Sequence, residues 1–405
     1  MVDYQTSYRM IRTTNVRNGR VNLEDAKFVE KDIFERWTRR APVIDGDVIL
    51  TREAPIGEVG YISNLGQVFL GQRIMHYRAD PRQLEPRFLF YSFRSPSLQD
   101  QFGAHEGSGS VVSHIRVAEC HEFELTLPSL NEQRAIVSIL GSLDDKIELN
   151  RRMNETLEAM ARALFKDWFV DFGPTRAKME SREPYLAADI WSLFPDRLDN
   201  DAKPEGWSEG TLADYAALNP EGWSRGNYPA RIEYVDLANT KWGTIEAAEP
   251  IDRDKAPSRA QRILREGDTI VGTVRPGNGS FALVGRLGLT GSTGFAVLRP
   301  KSVDCREAIY LAATAPENIE RLSHLADGAA YPAVRPDVVL ATELARPGPE
   351  IVAAFHKITA PLCDRIVANH VEVATLAETR DYLLPKLMSG EVRVREAERL
   401  AEAAE

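Results

Sequence analysis

The chain has 405 residues, a formal net charge of −10 and 43% hydrophobic residues, enough for two or three domains with cores of their own. No apolar run approaches the roughly 20 residues that span a bilayer, and Met1 to Met10 is too polar for a secretory signal. The three cysteines, Cys120, Cys305 and Cys363, are far apart, which excludes a paired metal-type motif, argues against a disulfide framework and fits a reducing cytoplasm.

The first segment, 1–127, opens with clustered cations, Arg9, Arg12, Arg17 and Arg20, against the acidic balance of the whole chain. Short β-rich runs follow: Val48-Ile49-Leu50, Val59-Gly60-Tyr61-Ile62 and Val68-Phe69-Leu70, divided by Gly, Pro and Asn. They predict a small α+β globular domain. The loop Gly107-Ser108-Gly109-Ser110 then leads into a short Ile/Val segment.

A long amphipathic helix is predicted over 128–172. Pro128 and the Ser129…Glu132 capping spacing mark its start. Ile136, Leu140, Leu143, Ile147, Leu157, Met160 and Leu164 recur at helical spacings, which makes one apolar stripe suited to a partner helix. Asp171-Phe172-Gly173-Pro174 stops it. Residues 173–206, rich in proline and charge, read as a linker.

A second α+β domain is predicted over 207–346. Its runs Thr269-Ile270-Val271, Phe281-Ala282-Leu283-Val284 and Phe295-Ala296-Val297-Leu298 repeat the style of the first. A second long helix over 347–392 carries Val352, Phe355, Ile358, Leu362, Ile366, Val373, Leu376, Leu383 and Leu387 on one stripe; Pro385 should kink its last turns and Gly390 should end it. Residues 393–405 read as an acidic tail.

The two halves are copies. Asp145-Lys146-Ile147…Asn150 returns as Asp364-Arg365-Ile366…Asn369 at a constant offset (364 − 145 = 219, 369 − 150 = 219), and Leu157 and Leu164 match Leu376 and Leu383 in the same register. More loosely, Asn15-Val16-Arg17-Asn18-Gly19 resembles Asn239-Thr240-Lys241-Trp242-Gly243, and Gly46-Asp47-Val48-Ile49 resembles Gly267-Asp268-Thr269-Ile270. Gly107 to Ser110 and Gly328-Ala329-Ala330-Tyr331 hold similar places. Asn150 and Asn369 fall close to the apolar stripe, where a polar residue fixes register and pairing or else faces water. The run Trp207 to Ala230 has no counterpart ahead of the first domain, so that domain is expected to be shortened at its N terminus.

Catalytic motifs are missing. There is no phosphate-binding glycine loop and no Asn-Pro-Pro-aromatic tetrapeptide; Asn219-Pro220-Glu221 lacks the second proline. His105-Glu106 and His121-Glu122 have no second histidine at zinc-ligand spacing. Pro336-Asp337 is followed by Glu343-Leu344-Ala345, without the lysine of a nuclease pattern. No catalytic residue and no metal ligand is assigned.

Several stretches resemble those of Type I restriction–modification specificity subunits. Leu143 to Arg152, Asn154 to Glu158 and Leu164 to Phe172 are similar to the family's central conserved region. Leu383 to Glu391 is similar to the distal one, and Ile11 to Asn15 and Gly328 to Arg335 resemble parts of its target-recognition domains. The resemblance implies an α+β architecture in which two target-recognition domains alternate with two long helices that pair as an antiparallel coiled coil. Each domain would read one half of a bipartite, asymmetric site in double-stranded DNA. The helices, of about 40 residues and about 60 Å, would act as the spacer. Methyltransferase and restriction subunits would dock on this non-catalytic chain; S-adenosylmethionine, ATP and magnesium would belong to those partners, and no membrane is involved.

Arg reads guanine and Asn reads adenine, while Ser and Thr reach bases or phosphates. The candidate DNA contacts are therefore Arg12, Thr14, Asn15, Arg17, Arg52, Arg73, Ser108, Ser110 and His114 in the first domain. In the second they are Asn239, Lys241, Arg275, Asn278, Ser280, Tyr331 and Arg335. The candidates for helix pairing are Leu143, Ile147, Asn150, Leu157, Leu164, Leu362, Ile366, Asn369, Leu376 and Leu383. Two alternatives remain at this stage: a coiled-coil scaffold without DNA recognition, and the recognition module of a single-chain restriction–methylation enzyme.

Overall fold

A computed structural model describes residues 1–105, 114–224 and 226–402. They divide into two compact units, one of Met1–Glu148 with Glu372–Glu405, the other of Leu149–Val371. The division falls within both long helices, Leu130–Phe165 and Pro349–Ser389.

In the first unit, Tyr8–Ile11 lies between Lys27–Phe28, antiparallel to it, and Gln67–Leu70, parallel to it. A second sheet places Val48–Arg52 between Ile56–Tyr61 and Ile74–Tyr77, all antiparallel. Val48, Ile49 and Leu50 are all buried, because both faces of this central strand are covered. One face meets Phe88, Phe93, Phe102 and Ile115 together with Ile136, Leu140, Leu143 and Ile147 of the first long helix and Leu376, Leu383 and Leu387 of the second. The other meets Ile11, Val16, Ile62 and Val68. Helix Pro86–Arg94 starts where Glu85 accepts a bond from the Phe88 amide at 2.6 Å and proline occupies the first turn.

The second unit repeats this construction. Arg231–Val235 is antiparallel to Glu249–Asp252 and parallel to Leu289–Ser292, and Thr269–Gly272 lies between Phe281–Leu283 and Phe295–Pro300. It adds Ala216–Leu218 against Phe295–Pro300, a strand drawn from the run between Trp207 and Ala230. Its core joins Phe165, Trp168 and Phe169 to Trp207, Leu298, Ile309, Leu311 and Phe355.

Two segments pack more closely than their composition suggests. Residues 173–206 hold the helices Gly173–Met179 and Ala188–Trp191, and Phe194 is buried edge-on against Trp168, 4.9 Å between ring centres. The C-terminal acidic stretch holds helix Val394–Glu402, whose Ala397 and Ala401 are buried in the first unit. The second long helix passes Pro385 without interruption, flanked by the buried Leu383, Leu384 and Leu387, and ends before Gly390 at φ +75°.

The long helices run antiparallel. In the first unit Arg380 bonds Asp144 at 2.8 Å and Lys146 pairs with Glu372 at 3.2 Å; in the second, Asn369 donates to Asn154 at 2.7 Å. Partner numbers fall on one helix as they rise on the other. Leu143, Ile147, Asn150, Asn369, Leu376 and Leu383 are buried, while Leu157, Leu164, Leu362 and Ile366 are half-buried. Neither side-chain polar atom of Asn150 has a partner among the described residues. No helix among the described residues is long and apolar enough to cross a membrane.

Candidate nucleic-acid interface

In each unit an ion pair to a buried aspartate anchors the loop that enters the central strand. Asp47 opens the central strand of the first unit and is wholly buried. Arg78, just past the last strand, donates to it through Nε at 2.7 Å and Nη2 at 2.8 Å, and the Ile44 amide donates at 3.0 Å. Burial alone would raise this carboxyl, but the bonds from Arg78 and Ile44 outweigh it and hold its pKa below the usual carboxylate value. The second unit repeats the arrangement with Asp268, Arg299 at 2.8 and 2.9 Å, and the Arg265 amide at 2.8 Å. Both members recur at one offset (268 − 47 = 221, 299 − 78 = 221). The repeated Gly-Asp pair was the visible signal; the arginine partner, remote in sequence, was not.

The turn after each central strand is also duplicated. Ala54 and Arg275 hold the same left-handed conformation, φ +50° and +49°. A returning segment closes each turn: Ile115 N bonds Arg52 O and Val334 N bonds Thr273 O, both at 2.9 Å. His114 bridges Glu53 as Ala333 bridges Val274. Beside each turn stands a two-residue hairpin, with Asn18-Gly19 at its tip in the first unit and Trp242-Gly243 in the second, every one of these four residues at positive φ.

The candidates fall into three groups. Thr14, Arg17, Arg73, His114, Lys241, Arg275, Asn278, Tyr331 and Arg335 are exposed. Of these, Arg17 pairs with Glu58 at 3.4 Å, Arg73 with Glu53 at 3.3 Å and Arg335 with Asp337 at 2.7 Å. Arg275 donates to Ala330 O at 2.8 Å and lies 4.9 Å from the centre of the Tyr331 ring. Arg12, Arg52 and Asn239 are half-buried. Arg12 bonds Asp25 O at 2.8 Å, Arg52 holds the carbonyls of Ile115 and Gln72 at 3.0 and 2.6 Å, and Asn239 donates to Glu249 at 3.1 Å. Asn15 and Ser280 face inward: Asn15 accepts from the Arg12 amide at 2.8 Å, and Ser280 donates to Leu237 O at 3.0 Å. The Asn15 oxygen is engaged within its own turn and the Ser280 hydroxyl on the neighbouring Leu237 turn. Ser108 and Ser110 lie outside the described residues.

Arg12, Thr14 and Arg73 converge on one concavity of about 500 Å³, which Met10, Trp37 and Phe69 also line. Among the described residues no cluster of three or more His, Cys, Asp or Glu side chains is arranged to hold a metal. The arrangement offers cationic and amide donors on turns, seated on rigid strands. That combination can grip phosphates and read base edges.

The comparisons agree with this geometry. Residues 6–159 match the family model described as the Type I restriction modification DNA specificity domain. The chain is 25% identical over 390 residues to the Type I restriction enzyme MjaIX specificity subunit of Methanocaldococcus jannaschii, covering 93% of this chain and 84% of that one. It is 25% identical over 405 residues to the HindI specificity subunit of Haemophilus influenzae, covering 86% of each. Among solved structures, the crystal structure of the Type-I restriction-modification system S subunit from M. genitalium superposes with a TM-score of 0.53 at 16% identity, over 94% of this chain and 88% of that one, and so shares its fold.

Proposed function

We propose that this chain, similar to Type I specificity subunits along most of its length, is the DNA sequence-specificity subunit of a restriction–modification complex. The observation that carries this reading is the duplication itself. Two units share the buried Asp–Arg pair, the left-handed turn and the two-residue hairpin, yet expose different side chains around them. Equal scaffolds with unequal surfaces suit a bipartite site whose halves differ. Phosphate contacts from exposed Arg and Lys would set the register, and base contacts from the same turns would set the sequence.

The paired helices serve as the spacer and as the platform for methyltransferase and restriction subunits. The chain itself is non-catalytic; S-adenosylmethionine, ATP and magnesium act in the partners, in a prokaryotic cytoplasm. The alternatives of a DNA-independent scaffold or a module of a single-chain enzyme are not favoured, because the specificity subunits above match over most of both lengths.

The test is co-expression with the cognate methyltransferase subunits, co-purification, and methylome sequencing of the host. A bipartite, asymmetric methylated-adenine motif that disappears when this chain is deleted is the expected outcome. A co-purified complex that methylates no bipartite motif would refute the proposal.

A further inference from the structure

The two hairpin tips carry different residues over the same foundation. In the first unit, the Asn18 amide donates to the Glu58 carboxylate at 2.9 Å, and Arg17 pairs with the same group. By strand register Gly279 holds the place of Gly57, since Ile49 pairs with Gly60 as Ile270 pairs with Ala282, and there the Trp242 amide donates to the Gly279 carbonyl at 2.7 Å. With no side chain at 279, the indole lies over the glycine. A β-carbon on Gly279 would come within 2.5 Å of the ring. Phe281 supports the indole edge-on, 5.8 Å between centres.

Trp242 is nevertheless 61% exposed. It also sits at φ +43°, in the left-handed region where Asn and Gly belong and a bulky side chain is strained. The ring buries little, and the asparagine of the first unit suits the same turn better. Strain of this kind is retained where the side chain has work to do. Its surroundings are those of a DNA-facing surface. Lys241 beside it is exposed, and the turn that ends at Gly279 begins at Arg275, whose guanidinium stacks on the 72% exposed Tyr331.

We propose that Trp242 is a specificity-determining residue of the second unit, its indole covering the thymine-methyl edge of a base pair in the half-site that this unit reads. In the major groove the apolar feature that sets one base apart is the C5 methyl of thymine, and an exposed indole with lysine and arginine nearby matches that methyl flanked by phosphates. The first unit, with Asn18 at its hairpin tip, lacks the plate and must read its half by other contacts. The inference rests on the functional reading above.

The experiment compares wild type, Trp242→Asn and Trp242→Phe. Each is co-expressed with the cognate methyltransferase subunits. Thermal unfolding, the methylated motif and affinity for a duplex carrying the wild-type site are measured. Trp242→Asn should remain folded with a cooperative melt, bind about tenfold more weakly, and methylate a motif with one half intact and one A·T position of the other half relaxed. Trp242→Phe should keep most of the affinity. An unchanged motif and affinity in Trp242→Asn overturns the inference while leaving the functional reading standing, and relaxation only at a G·C position overturns the thymine-methyl assignment. A wild-type complex with no bipartite motif overturns the functional reading, and this inference with it.

Discussion

Replacing Arg78 by methionine tests whether the buried ion pair holds the first unit together. Asp47 would lose two charge-assisted bonds, of 2.7 and 2.8 Å, and keep only the Ile44 amide at 3.0 Å. Removing one partner of a buried pair costs about 3–5 kcal/mol. The Arg78 side chain is 45% exposed, so water already competes with the pair, and a loss of about 3 kcal/mol is expected. The pH dependence follows from the sign of the Asp47 shift. Its folded pKa lies below the unfolded value of about 3.9. The stability it contributes is therefore present above about pH 4 and lost as pH falls through the folded pKa. In the variant, burial acts without the guanidinium and favours the neutral carboxyl, so the difference from wild type should be largest near pH 7 and shrink toward pH 4 and below. Because a chain of two units need not unfold in one step, the readout is hydrogen exchange of the peptide spanning Val48–Arg52 in a urea series at each pH. Equal protection in wild type and variant at pH 7, or a difference that does not shrink on acidification, would refute the reasoning.

Other consequences can be measured directly. Inserting four residues after Asn150, matched by four after Asn369 to keep the antiparallel partners together, adds about 6 Å of helix; the gap in the methylated motif should change by about two base pairs, and an unchanged gap would count against the spacer role. Asn150→Leu removes two buried polar atoms that have no partner among the described residues and should stabilise by about 1–2 kcal/mol. Asn369→Leu strips Asn154 of its 2.7 Å donor and should destabilise by about 1–3 kcal/mol; calorimetric shifts of the same sign for both variants would contradict this. Burial pushes the Cys363 thiol up to about 12, so iodoacetamide at pH 8 should leave it unmodified in the native protein and label it in denaturant, as read by peptide mass spectrometry.

The exposed aromatic at the second hairpin was legible as a letter but not as a site. Trp242 aligned with Asn18 in the sequence, yet only its exposure and its place over Gly279 single it out. The inward positions of Asn15 and Ser280 were hidden for the converse reason. Asn15 bonds its own turn and Ser280 a carbonyl remote in sequence, and whether such a side chain reaches outward or bonds inward depends on backbone angles and tertiary neighbours that residue type does not specify.

By itself the sequence determined what local geometry controls. Helical spacing of Leu143, Ile147, Leu376 and Leu383 declared two long helices, and one constant offset declared the duplication, because side chains three and four apart share a helix face wherever that face is buried. Only the tertiary structure decided which distant pieces meet. It set Tyr8–Ile11 parallel to Gln67–Leu70, joined Asp47 to Arg78, and brought Glu372–Glu405 into one unit with Met1–Glu148. It also turned Ala397 and Ala401 of an acidic stretch into part of a core. Such pairings depend on which apolar surfaces close over one another across the whole chain, and no short window of sequence contains that information.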